Sequence, residues 1–172
     1  MSDLLAVVTH EFRRHKDLAD RAITPLSDEQ FFARPGPDVN PIALIVKHLA
    51  GNLHSRWTDL LTTDGEKPDR DRDAEFLLTA DDTRARLLSA WDVGWEAVFD
   101  TLDELQPADL DRTITIRGEP HTVQQALIRG LTHAAYHVGQ ILYLSRLLAP
   151  GSPWLTIPPG QSRDWPAGYL KS

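Results

Sequence analysis

An all-α fold is predicted for this 172-residue chain by three features of its sequence. Four long segments place apolar residues every three or four positions. Two helix starts carry capping-box spacing, and only one short stretch alternates in the manner of a strand. Four amphipathic helices with little strand bury their faces against one another, which is the logic of a helical bundle.

The first helix is expected from about Asp3 to Ile23, with Leu4, Val8, Phe12, Ala19, Ala22 and Leu26 on the inner face. Ser27-Asp28-Glu29-Gln30 has the capping-box pattern for a short helix ending near Arg34, closed by Pro35-Gly36-Pro37. Asn40 and Pro41 read as N-cap and first residue of the second long helix. Ile42, Ile45, Leu49, Leu53, Trp57 and Leu60 form its buried face, and Asp64-Gly65 stops it near Thr63. The third long helix spans about Asp81 to Leu105, with Leu88, Trp91, Trp95, Val98 and Leu102 in one stripe; Pro107 ends it. Thr113 to Ile116 alternates as one short strand, followed by a turn over Arg117-Gly118-Glu119-Pro120. Thr122-Val123-Gln124-Gln125 caps the last helix, which runs to about Leu148. The Pro- and Gly-rich tail carries Trp154, Leu155, Ile157, Trp165 and Tyr169, and that much apolar and aromatic surface predicts a tail packed on the helices. The first two connections are long enough to allow more than one winding order.

Composition narrows the function classes. The length suits a single domain, residues 1–172, with 150–172 as its tail. No cysteine is present, so disulfides, thiolate ligands and a protein-borne thiol nucleophile are excluded, and a metal site must use His, Asp or Glu. The start, Met1-Ser2-Asp3, lacks the basic and apolar regions of a signal peptide, and no apolar run approaches the roughly 20 residues that span a bilayer; a cytoplasmic protein with no membrane partner is expected. A formal charge of −7 argues against a nucleic-acid partner. The mixed-charge run from Asp64 to Arg86 reads as a solvated loop and helix start.

Seven histidines remain to be sorted. His133 and His137 are four apart on the last helix, one above the other on one face. His137 falls inside the apolar stripe of Val123, Leu127, Ala134, Ile141 and Leu148, and His133 at its edge. His48 lies at the polar border of the second long helix, near Ile45 and Asn52. Facing helices pack about 8–10 Å apart, so imidazoles on both can meet one ion. Three histidines leave an open position on zinc, and nickel or manganese suit the same ligands. Equally, the three could be hydrogen-bonded core or rim residues. His15 shares a face with Phe12, Ala19 and Ala22 and should point inward, while His10, His54 and His121 read as surface or loop residues.

Four segments carry a family resemblance: Ile45-Val46-Lys47-His48-Leu49-Ala50-Gly51-Asn52, the stretch from Ser55 to Pro68, Thr115 to Thr122, and His133-Ala134-Ala135-Tyr136-His137-Val138-Gly139-Gln140-Ile141. With the ending Ile157-Pro158-Pro159-Gly160-Gln161-Ser162, the chain resembles the DinB-like (YfiT-like) metalloenzyme superfamily, in a branch of unknown function. The resemblance implies an antiparallel four-helix bundle, often a homodimer, whose metal ligands correspond to His48, His133 and His137. Ala135 is smaller than the residue expected there, and Pro159 stands where lysine is common. Some relatives are thiol-dependent transferases or isomerases that use an external low-molecular-weight thiol; others are described as hydrolases.

Three readings of function follow. The first is a metal-dependent enzyme, a transferase or hydrolase acting on a small molecule through an activated water or thiol. Asn52, Arg56, Tyr136 and Gln140 lie near the ligands on their helices and could bind substrate, although each could equally be a packing or surface ion-pair residue. Asp59, Asp64, Glu66 and Glu119 are candidate general bases. An anionic thiol would favour Arg56, Arg117 and Arg129 at the pocket mouth. The second reading is a non-catalytic, metal-stabilised bundle with a stress-response or binding role. The third is a plain scaffold with incidental histidines.

Overall fold

The computed structural model describes residues 4–164. Among them are five α-helices: α1 (Leu4–Ile23), α2 (Asp28–Phe32), α3 (Ile42–Trp57), α4 (Arg84–Glu104) and α5 (Val123–Leu148). A two-stranded antiparallel hairpin, β1 (Thr113–Ile116) and β2 (Glu119–Thr122), precedes α5. One-turn 3₁₀ helices lie at Ala74–Phe76 and Pro107–Asp109. Trp165 and Tyr169 of the expected tail lie outside the described residues.

The long helices pack in a closed set of pairs: α1 on α5, α3 on α4, α3 on α5 and α1 on α4. Helix α3 is the most enclosed, with 13 of its 16 residues buried. That enclosure follows from a sequence apolar almost all round, and it leaves polar side chains on α3 little choice but to find internal partners. Phe12, Trp57 and Trp95 join α1, α3 and α4 through edge-on ring contacts, with centroids 5.1 Å (Phe12–Trp57) and 6.2 Å (Phe12–Trp95) apart. At Gly94 the backbones of α3 and α4 nearly touch: a Cβ there would stand 2.8 Å from the Ala50 carbonyl oxygen.

Both capping boxes form. Ser27 Oγ accepts from the Gln30 N–H, and Gln30 Oε1 accepts from the Ser27 N–H. Thr122 and Gln125 do the same at the start of α5.

Elsewhere the boundaries differ from expectation for local reasons. Pro41, not Asn40, occupies the cap position of α3, with no side-chain cap, and its carbonyl accepts from Leu44 and Ile45. The helix ends at Trp57 rather than near Thr63, because Asp59 takes the left-handed conformation (φ 51°) and its carbonyl collects the N–H groups of Thr62 and Thr63. Helix α4 starts later than Asp81, where Thr83 caps it by accepting from the Arg86 N–H; Leu87 is buried and Leu88 only partly so. The single strand expected is a hairpin. Arg117 and Gly118 both take positive φ (56° and 75°), as a two-residue primed turn requires, and Glu119 and Pro120 are thereby released into β2.

The tail packs in part. Arg146 lies over the Trp154 ring at 3.7 Å and donates to the Ser152 carbonyl, and Leu155 rests against the core, whereas Ile157 is exposed.

Candidate metal centre

His48 from α3 and His133 and His137 from α5 come together, with one ring nitrogen of each within 4.8 Å of the others. His133 Nε2 lies 3.4 Å from His48 Nε2 and 3.2 Å from His137 Nε2. The outer nitrogens explain this orientation. His48 Nδ1–H donates to Glu75 Oε2 at 2.8 Å, and His137 Nδ1–H donates to Gln140 Oε1 at 2.8 Å. Each of these bonds fixes the tautomer that leaves a lone pair on Nε2 facing the other two rings. His133 Nδ1 is buried without a hydrogen-bond partner. Burial first, and then unfavourable charge interactions with His137, His48, Arg56 and Arg70, lower the His133 pKa to about 3. Burial likewise lowers that of His137, against a raising contribution from Gln140. Three imidazoles whose Nε2 atoms converge in this way could hold a metal ion.

Glu75, which no sequence pattern singled out, is the buried carboxylate behind His48. Its two oxygens also accept from Arg70 Nε at 2.8 Å and Arg70 Nη2 at 2.9 Å in a bidentate fork. Burial opposes ionisation, but the hydrogen bonds from His48 and Arg70 outweigh it and hold the carboxyl below its usual range. Phe76 lies against the His48 ring with centroids 4.6 Å apart. The charged run read as solvated therefore contains the support of the site, and the clue was the apolar setting Ala74-Glu75-Phe76-Leu77-Leu78. Gly51 makes the room: a Cβ there would overlap Glu75 Oε1 and stand 2.9 Å from Cδ.

The other candidates divide clearly by position. Asn52, Arg56 and Tyr136 line a cavity of about 300 Å³ together with His48 and His133. Gln140 is instead engaged with His137. Among the carboxylates considered as bases, Asp64 is occupied by the N–H groups of Glu66, Arg117 and Gly118, which hold the hairpin turn and, against burial, keep its carboxyl below the usual range. Glu66 pairs with Arg70 and Arg117, while Asp59 and Glu119 are exposed. Arg117 and Arg129 do reach the cavity. Ala135 is partly exposed and Pro159 exposed, and neither is among the residues lining it. His15 is partly buried and donates to the Glu11 carbonyl. His54 is exposed, and the His121 ring contacts the Glu119 carbonyl and Arg129.

The fold and site define a mostly helical protein with a small antiparallel hairpin and a histidine triad that could hold a metal ion. No helix among the described residues is long and apolar enough to cross a membrane. The chain belongs to the family described as "Protein of unknown function (DUF1572)", which matches residues 1–161. A comparison with curated proteins finds no match. Among solved structures it is similar to a conserved protein from Enterococcus faecalis, with a TM-score of 0.64 over 86% of this chain and 98% of that one; at 16% identity this is a likeness of fold.

Proposed function

We propose that the protein is a DinB-like four-helix-bundle metalloenzyme, a transferase or hydrolase that acts on a small molecule at a divalent metal held by His48, His133 and His137. The observation that carries this reading is the convergence of three Nε2 atoms, two of them turned inward by hydrogen bonds on the opposite ring nitrogen. The ring of helix pairs α1–α5–α3–α4 supports the antiparallel bundle. Zinc and nickel suit the imidazole donors best, and manganese is accommodated by the same set. A metal bound there would supply Lewis acidity for activating a water or an external low-molecular-weight thiol.

The cavity favours catalysis over a purely structural metal, because it opens beside His48 and His133 and is lined by Asn52, Arg56 and Tyr136, the residues we assign to substrate. Gln140 is better suited to hold His137 in orientation than to touch substrate. The exposed side chains Ile128, Tyr143 and Leu147 along α5 offer an apolar face on which a homodimer could form. A cytoplasmic location accords with the absence of cysteine.

Cobalt(II) added to chelator-treated, untagged protein tests the reading through its d–d absorption. Saturation at one equivalent, with a spectrum that changes on adding a small thiol, is expected of an open catalytic site. A saturated spectrum indifferent to thiol and other small ligands would point to a metal that only ties α3 to α5, and absence of any spectrum would contradict the metal site itself.

A further inference from the structure

The cavity beside the triad concentrates positive charge in a protein whose formal net charge is −7. Arg56, Arg70, Arg72, Arg117 and Arg129 line it, and no Asp or Glu is among its lining residues. Their ion pairs reach three carboxylates. Glu66 is shared by Arg70 at 3.0 Å, Arg117 at 3.2 Å and Arg56 at 3.7 Å. Glu75 is taken by Arg70 and His48, and Arg72 pairs at 3.6 Å with the exposed Asp73. Among the described residues no carboxylate pairs with Arg129, whose Nη1 contacts His121 Nε2.

Arg56 is the informative member. It is 8% exposed, its Nη1 is buried with no hydrogen-bond partner, and its one ion pair is the long one. A buried guanidinium left short of acceptors is costly, and here neighbouring arginines add repulsion. Burial, together with the charges of Arg129, Arg70 and Arg117, lowers its pKa to about 10 despite Glu66. An oxyanion bound in the cavity would offset that repulsion, and a carboxylate or phosphate matches the planar fork of a guanidinium.

We propose that Arg56 and Arg129 form the anchoring site for an oxyanion, a carboxylate or phosphate, on the small molecule whose other end reaches the histidine triad. The register of α3 sets the scale: His48, Asn52 and Arg56 follow at four-residue steps, so Arg56 lies roughly 12 Å along the helix axis from His48, with Asn52 between. That separation selects a substrate extended along the axis of α3, anionic at one end and reactive at the other. The inference rests on the reading of the triad as the reactive centre, but the anion site itself needs no metal.

Isothermal titration of inorganic phosphate and, separately, succinate into the chelator-treated full chain at constant ionic strength tests it. Saturable one-to-one binding of at least one probe is expected, weakened at least tenfold by Arg56→Gln and by Arg129→Gln. In His133→Ala it should persist within about twofold. The stronger probe identifies the head group. Arg129 is exposed, so its variant decides the matter even where Arg56→Gln fails to fold. No saturable binding of either probe, or binding unchanged in both arginine variants, would overturn the proposal. Binding lost in His133→Ala would move the anion to the triad and overturn the arginine assignment. A failure of the metal reading shows separately, as anion binding without any metal uptake.

Discussion

Removing Glu75 should weaken both the metal site and the fold, by amounts that can be worked from its contacts. Glu75→Ala deletes three charge-assisted hydrogen bonds, from His48 Nδ1 at 2.8 Å, Arg70 Nε at 2.8 Å and Arg70 Nη2 at 2.9 Å. Breaking a buried ion pair by deleting one partner typically costs about 3–5 kcal/mol. The Arg70 side chain is only 5% exposed but keeps Glu66 at 3.0 Å, so the loss should fall at or below the low end, about 2–3 kcal/mol. Deleting the partner that orients a ligand typically lowers metal affinity about 10–100-fold, equivalent to about 1.4–2.7 kcal/mol. Urea unfolding of the apoprotein reads the first effect, and zinc competition against a chromogenic chelator reads the second. Glu75→Gln, which retains an acceptor for the His48 N–H, should lose less than about tenfold in affinity while still destabilising the fold. If Glu75→Ala leaves zinc affinity within twofold of wild type, Glu75 serves Arg70 alone and does not aim His48.

Three further perturbations follow from the same packing. Gly51→Ala removes no atom of the site, yet its methyl would displace the Glu75 carboxylate and should reproduce the affinity loss of Glu75→Ala in the same competition assay. Gly94→Ala would press a methyl against the Ala50 backbone between α3 and α4; a destabilisation of about 1–3 kcal/mol is expected as a lower urea midpoint. The third concerns pH. His133 stays neutral in the fold down to about pH 3, whereas the unfolded chain protonates it near 6.5. Below pH 6.5 the unfolded state therefore binds the extra proton, and apoprotein stability should fall as pH drops from 6.5 toward 3. Between pH 7 and 5 the full shift gives roughly 2 kcal/mol, or about 1–2 kcal/mol with solvent screening of a partly exposed ring. Urea midpoints across that range should show a smaller drop in His133→Gln.

The parts of the site that helical periodicity controls were legible in the sequence. His133 and His137 sit four apart on one face of α5, and His48 at the border of the α3 stripe, so two packed helices bring them together. Gln140 is three residues beyond His137 and within reach of its ring; the spacing was visible, but its use as an orienting acceptor was not. Glu75 was hidden for a different reason. It meets His48 across 27 residues of sequence through a loop with no period, inside a charge run that resembles a solvated surface. Its burial depends on Gly51 lacking a side chain and on Arg70 arriving as its counter-ion. Asp64 shows the converse. It was a candidate base, but α3 ends early at Trp57 and the Asp64 carboxylate is occupied by the backbone N–H groups of Arg117 and Gly118 in the hairpin turn and of Glu66 beside it.

The central claim is that His48, His133 and His137 hold one divalent metal, and elemental mass spectrometry of untagged protein purified without chelator tests it most directly. The wild type should carry close to one equivalent of zinc, nickel or manganese per chain. His48→Ala and His137→Ala should each lose it while keeping wild-type helical circular dichroism. A folded wild-type protein that takes up no metal, even after reloading with each of the three ions, would contradict the account.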